Sequence, residues 1–132
     1  MRFFFDNDLS FRIAHALGQL AESEGDEVVA LRDKFPQSAT DVDWINGLNS
    51  DPEERRVVIT ADRGIGRKPC ELKAWRETGL TVCFLERGWA RMKFWDQAWH
   101  LIKHWPAIRD YSSRVAGGSG FYVGVSGRIR PV

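Results

Sequence analysis

Two patterns alternate along this chain, short continuous apolar runs and longer stretches in which apolar residues return at helical spacing. Residues 2–5 are Arg-Phe-Phe-Phe and stop at Asp6-Asn7-Asp8, the profile of a buried strand ending in polar residues. Leu9, Ile13, Ala16, Leu17 and Leu20 then follow the helical period, with Asp8 or Ser10 available as the N-cap. Glu24-Gly25-Asp26 breaks that helix, residues 27–31 read as a second strand, and 32–39 form a polar loop containing Pro36. Thr40 caps a short helix running to Leu48, which Asn49-Ser50-Asp51-Pro52 closes. Val57-Val58-Ile59-Thr60 is the clearest β-branched run and predicts a central parallel strand. Pro69 suits the first turn of a helix reaching about Thr78, Gly79 its stop, and residues 81–85 the next strand.

After Gly88 the pattern predicts one long helix over residues 90–105, ended by Pro106, with Met92, Trp95, Trp99, Ile102 and Trp105 along a core-facing stripe. A glycine-rich joint over 116–120 leads to a last strand carrying Phe121, Val123 and Val125, and Ser126-Gly127 turns the chain toward residues 128–132. Strands separated by helices imply a three-layer α/β sandwich with a mostly parallel central sheet.

Composition narrows this reading without redirecting it. The 132 residues fit one domain, its core spanning about residues 1–110 and its closing segment 116–132, and 43% hydrophobic with 28% charged residues is ordinary for a globular chain. Charges follow the opening Phe run at once, so neither a signal peptide nor a membrane span is expected, and the cytoplasm is the default location. Cys70 and Cys83 form no metal or disulfide framework. The net charge of +1 conceals a cluster of Arg63, Arg67, Lys68, Lys73 and Arg76, a local basic patch on a nearly neutral chain.

Two predicted strands end in acid, at Asp6 and at Asp62. In a parallel sheet the carboxyl ends of strands are where ligands gather, so acids ending different strands can meet at one edge. A third carboxylate is available from Asp41 or Asp43, which open the short helix. Helical geometry separates these two: Asp41 lies about 40° from Ile45 and about 20° from Leu48 around the axis, whereas Asp43 lies about 160° and about 140° away. Asp41 therefore points inward, and Asp43 faces solvent, where it can close a capping box with Thr40. Three carboxylates held together repel unless a cation intervenes. A hard divalent ion such as magnesium or manganese accepts oxygen ligands and supports phosphodiester hydrolysis. Asp8 reads first as a helix cap and second as an outer partner of such an ion, and Glu71 complements a helix dipole or adds a fourth acid. Arg63, Arg67 and Lys68 follow Asp62 and suit phosphate. His100 and His104, spaced i, i+4, lack the acid of a metalloprotease motif and read as surface residues.

The segments 3–8 (Phe-Phe-Phe-Asp-Asn-Asp), 39–45 (Ala-Thr-Asp-Val-Asp-Trp-Ile) and 57–63 (Val-Val-Ile-Thr-Ala-Asp-Arg) resemble the acidic motifs of PIN-like domains, over about residues 1–110. They are similar in particular to the small VapC-like group, with Glu71 on the following helix. The resemblance implies a metal-dependent ribonuclease, commonly the toxin of a toxin–antitoxin pair, with Asp6, Asp41 and Asp62 as metal-site positions. It implies an RNA substrate and a cognate antitoxin as partners, and it allows a homodimer. Where larger PIN domains carry a further acid, this chain has Arg63 and Gly64, so completion of the site falls to Glu71 or Asp8.

Two other functions fit parts of the pattern. A non-catalytic PIN-like module binding nucleic acid or protein would use an exposed aromatic supply from Trp75, Trp89, Trp95 and Trp99. A phosphoacceptor domain of the receiver kind would need a lysine ending a late strand, whereas residues 81–85 are followed by Glu86-Arg87.

Overall fold

The computed structural model describes residues 1–36, 38–48, 54–62 and 69–132. Six strands form one sheet: β1 (Arg2–Phe5), β2 (Glu27–Ala30), β3 (Arg56–Thr60), β4 (Thr81–Leu85), β5 (Gly120–Val123) and β6 (Ile129–Pro131). Their order is β2-β1-β3-β4-β5-β6; only the β5–β6 pair is antiparallel. Strand order reverses between β1 and β3: the chain steps from β1 outward to β2 and then returns past β1. Parallel strands must be joined by crossovers. Here α1 (Phe11–Ala21), α2 (Asp41–Gly47) and α3 (Pro69–Thr78) make the first three, and α4 (Arg87–Ala90) with α5 (Phe94–Arg114) makes the last.

Strand periodicity sorts the core into two layers. Phe3, Phe5, Val57, Ile59, Cys83 and Leu85 pack with Ile13 and Leu17 of α1 and with Leu101, Trp105 and Ile108 of α5. Phe4, Val58, Val82 and Phe84 turn the other way, onto Trp44 and Ile45 of α2 and Ala74 and Trp75 of α3. The continuous Phe run at the amino end is therefore buried on both faces, as a strand covered by helices on both sides must be. The result is a three-layer α/β sandwich with a mostly parallel sheet.

Three local expectations change. Helix α1 begins at Phe11 with Ser10 as its cap, the Ser10 hydroxyl accepting from the Arg12 N–H at 3.2 Å, so Asp8 is not the cap. The predicted helix over 90–105 is two helices, and Pro106 lies inside α5 rather than ending it. An interior proline costs about 3 kcal/mol and orphans the carbonyl four residues back. That carbonyl belongs to Ile102, on an exposed side of the helix, where water can take it, while Trp105 and Ile108 anchor both sides of the proline. The buried face of α5 is Leu101, Trp105, Ile108 and Ser112; of the expected stripe, Trp105 is buried and Met92 packs against the core, whereas Trp95, Trp99 and Ile102 are exposed. Trp75 and Trp89 are buried, and His100 and His104 are half-buried against the Trp89 ring.

Helix α5 is tied across the amino end of the sheet by Asp26, whose carboxylate is buried. It accepts from Arg109 of α5 through both Nε and Nη2 and from the Met1 amino group at 3.0 Å. Burial alone would raise the Asp26 pKa, but the bonds and charges of Arg109 and the Met1 ammonium outweigh it and hold the carboxyl below its ordinary value. A depressed folded-state pKa contributes stability above the unfolded value and loses it as pH falls through the folded one. Asp26→Asn should therefore destabilise the fold by about 2 kcal/mol at pH 7, less than a fully enclosed pair because Arg109 reaches solvent. Urea denaturation across pH should show this gap closing as pH falls below about 5; a gap independent of pH would contradict the pairing.

Candidate functional site at the carboxyl rim

The reversal of strand order opens a crevice at the carboxyl ends of β1 and β3, the place where open α/β sheets bind ligands. Phe5 pairs with Ile59, so the next residues, Asp6 and Thr60, stand abreast. The Asp6 N–H continues the ladder to the Ile59 carbonyl at 3.0 Å. Strand alternation turns both side chains to the α2/α3 side, and the Thr60 hydroxyl donates to Asp6 Oδ2 at 2.9 Å. The same hydroxyl accepts from the Asp62 N–H at 2.9 Å, and Asp6 Oδ1 accepts from the Asn7 N–H at 2.7 Å. One buried threonine thus links the two strand-ending acids.

Helix α2 brings the third acid. Thr40 and Asp43 close a reciprocal cap, with the Thr40 N–H donating to Asp43 Oδ2 at 2.9 Å and the Asp43 N–H to Thr40 Oγ1 at 3.2 Å. Those bonds hold the exposed Asp43 carboxyl below its ordinary pKa. Asp41, one residue past the cap, turns toward the sheet, and the indole N–H of buried Trp44 donates to its Oδ1 at 3.0 Å. The cap thus sets the helix phase, and Trp44 sets the direction of the Asp41 carboxylate.

Electrostatics show which acids meet. Burial pushes the Asp6 carboxyl above its ordinary pKa; the Thr60 and Asn7 bonds pull it down, and the charges of Asp41 and Asp62 raise it again. Asp8 is pushed up to about 7, first by burial and then by Asp6 and Asp62, with the Ala61 backbone working the other way. Asp8 still presents much of its surface to water, so its carboxyl is crowded by protein on one side and screened on the other. Asp6, Asp8, Asp41 and Asp62 therefore share one field. Glu71 is buried in the first turn of α3. Arg63, Arg67 and Lys68 lie outside the described residues.

The acids of the rim offer oxygen donors of the kind a hard divalent ion takes. Every donor is a carboxylate oxygen, and like charges held together favour a cation between them. Among the described residues no three His, Cys, Asp or Glu side chains stand close enough to cage a metal directly. The donor set fits an ion that keeps much of its water and uses one or two carboxylates, which is how magnesium is usually held.

Cations that the acid-centred reading of the sequence overlooked border the same rim. Arg12 follows β1, and Arg32 and Lys34 follow β2. The Arg12 and Arg32 guanidinium carbons lie 4.8 and 4.3 Å from the Phe11 ring centroid, and the Lys34 ammonium lies 5.3 Å from that of Phe4. The rule that flagged the acids, chemistry gathering after parallel strands, applies to them equally. Thr60 had no such signal, because a threonine inside a β-branched run reads as strand propensity.

The fold is an α/β sandwich with carboxylates at its topological switch. The chain belongs to the PIN-like domain family, whose model matches residues 1–87, from β1 to the start of α4. Domains of this family are typically nucleases that use divalent metals. No curated protein and no solved structure matches the chain. Among the described residues no helix is long and apolar enough to cross a membrane.

Thr60→Val keeps the shape of the strand and deletes the hydroxyl that joins the acids. Because that bond favours ionised Asp6, carboxyl-carbon NMR should show the Asp6 pKa rising in the variant, with stability lower by about 1 kcal/mol. An unmoved Asp6 titration would mean that the hydroxyl does not hold this carboxylate.

Proposed function

We propose that the protein is a metal-dependent RNA endonuclease of the VapC-like kind, the toxin of a toxin–antitoxin pair, with a cognate antitoxin as its protein partner. The observation that carries this reading is the shared electrostatic field of Asp6, Asp8, Asp41 and Asp62 at the point where strand order reverses. Mutual repulsion and burial both oppose the ionisation of acids gathered in this way, and a bound cation relieves both.

Asp6, Asp41 and Asp62 would hold magnesium or manganese, one or two of them directly and the rest through waters the ion keeps, with Asp8 and Glu71 as supporting acids. When bound, the ion polarises the scissile phosphodiester and acidifies the attacking water. Thr60 and Trp44 position the Asp6 and Asp41 oxygens before substrate arrives, so less ordering is left to binding. Arg12, Arg32 and Lys34 on one flank, with Arg63, Arg67 and Lys68 following Asp62 in sequence, would offset the phosphate charge. RNA as the substrate and the antitoxin as the partner follow from the motif resemblance.

Asp41→Asn and Asp6→Asn should each lower magnesium-dependent cleavage of single-stranded RNA by at least about a hundredfold, with far-UV circular dichroism unchanged. Asp43→Asn should leave cleavage within about twofold, since that side chain serves the helix cap. Expression without the neighbouring gene should slow growth, and Asp6→Asn should remove the effect. A folded Asp41→Asn variant that cuts as fast as the parent would remove the nuclease reading.

A further inference from the structure

Helix α5, beyond the family-matched residues, exposes two large rings: Trp95 is 80% and Trp99 55% accessible, with Phe94 and Ile102 exposed beside them. Contiguous exposed apolar surface of this kind marks a place that something covers. These rings are no fringe of the core, because Trp99 stands about 160° around the helix from fully buried Leu101. They also form a local array, with Phe94 and Trp95 packed edge to face at 5.3 Å and Trp99 against His100 at 4.5 Å.

We propose that this face is a stacking platform for single-stranded nucleic acid, distinct from the acidic rim. The charge around it selects the occupant. Over residues 87–104 the cations are Arg87, Arg91, Lys93 and Lys103, all exposed, and the single carboxylate is Asp96. The Lys103 ammonium lies 5.0 Å from the Trp99 ring centroid, so a cation and a ring face are offered together. A second copy docked through a two-fold axis would bring this net-positive patch against another of the same charge. A polyanion carrying flat apolar groups meets both features, since bases stack on aromatic rings and phosphates meet the flanking cations.

Placement adds to this. α4 follows β4 directly, so α5 starts at the carboxyl rim and runs back to the amino end, where Arg109 reaches Asp26. Trp95 and Trp99 thus stand toward the same rim as the acids, on the α1 side of the sheet while Asp6 and Asp41 face α2 and α3. A strand held on the rings can cross the rim to the carboxylates. The choice of nucleic acid among polyanions rests on the nuclease reading; the binding itself does not require cleavage.

The test is a fluorescence-anisotropy titration of the full chain, in EDTA, with a labelled short oligouridylate, an oligodeoxythymidylate and an RNA duplex. The expected result is binding of a single strand that weakens with salt, weaker binding of the duplex, and a loss of about tenfold for each of Trp95→Ala and Trp99→Ala. Preference for the ribose or the deoxyribose strand identifies the natural source, and either supports the platform. Leu20→Ala, on the exposed side of α1, should bind as the parent does. Asp6→Asn should keep this binding while losing cleavage, which separates failure of the platform from failure of the nuclease reading. No binding, full affinity in the Trp95→Ala/Trp99→Ala double variant, equal affinity for duplex, or a parent dimer that this double variant dissociates in sedimentation would overturn the proposal.

Discussion

Carboxylates held at one edge of a sheet repel one another, and the more protein surrounds them the less water screens that repulsion. In this chain the strands themselves impose the problem. Register places Asp6 beside Thr60 and brings Asp62 onto the same rim, and the cap of α2 swings Asp41 toward them. The rise in the pKa of Asp6, and that of Asp8 to about 7, records the cost. Hydrogen bonds moderate it: the Thr60 hydroxyl, the Asn7 N–H and the Trp44 indole fix oxygen positions. A divalent cation would lower the energy of every one of these groups at once, which is the physical basis for reading the rim as a metal-using centre.

The remainder of the fold keeps that edge in place. A Phe run buried on both faces locks β1 between two helical layers, and α2 lies over the side toward which Asp6 points. On the opposite layer α5 is fastened at its far end by Arg109 and Asp26, leaving its first turns at the rim. The family match ends where α4 begins, and the aromatic helix α5 follows it in the sequence.

Much of this was legible from residues alone because the signals were local. β1, β3 and β4 are uninterrupted apolar runs, and an inward Asp41 with an outward Asp43 follows from the helical period and one threonine cap. Where the reading failed, a local rule met a tertiary decision. Pro106 normally stops a helix, but its orphaned carbonyl faces water and the residues around it are anchored in the core. A tryptophan stripe normally marks a buried face, but here only Trp105 of the three buries, alongside Leu101 and Ile108, while Trp95 and Trp99 stay exposed. Asp8 has the composition of a cap, and Ser10 takes that role, releasing Asp8 to the acidic field. The link through Thr60 depends on pairing between residues 54 positions apart in sequence, which no local pattern encodes.

The account turns on whether the rim acids bind a cation at the expense of protons. Calorimetric titration of magnesium into the protein near pH 7, repeated in buffers of different ionisation enthalpy, measures protons displaced as the ion binds. Because burial and the neighbouring acids raise the Asp8 pKa, the account predicts net proton release, diminished in Asp8→Asn. Magnesium binding with no proton release, or no binding at all, would contradict it.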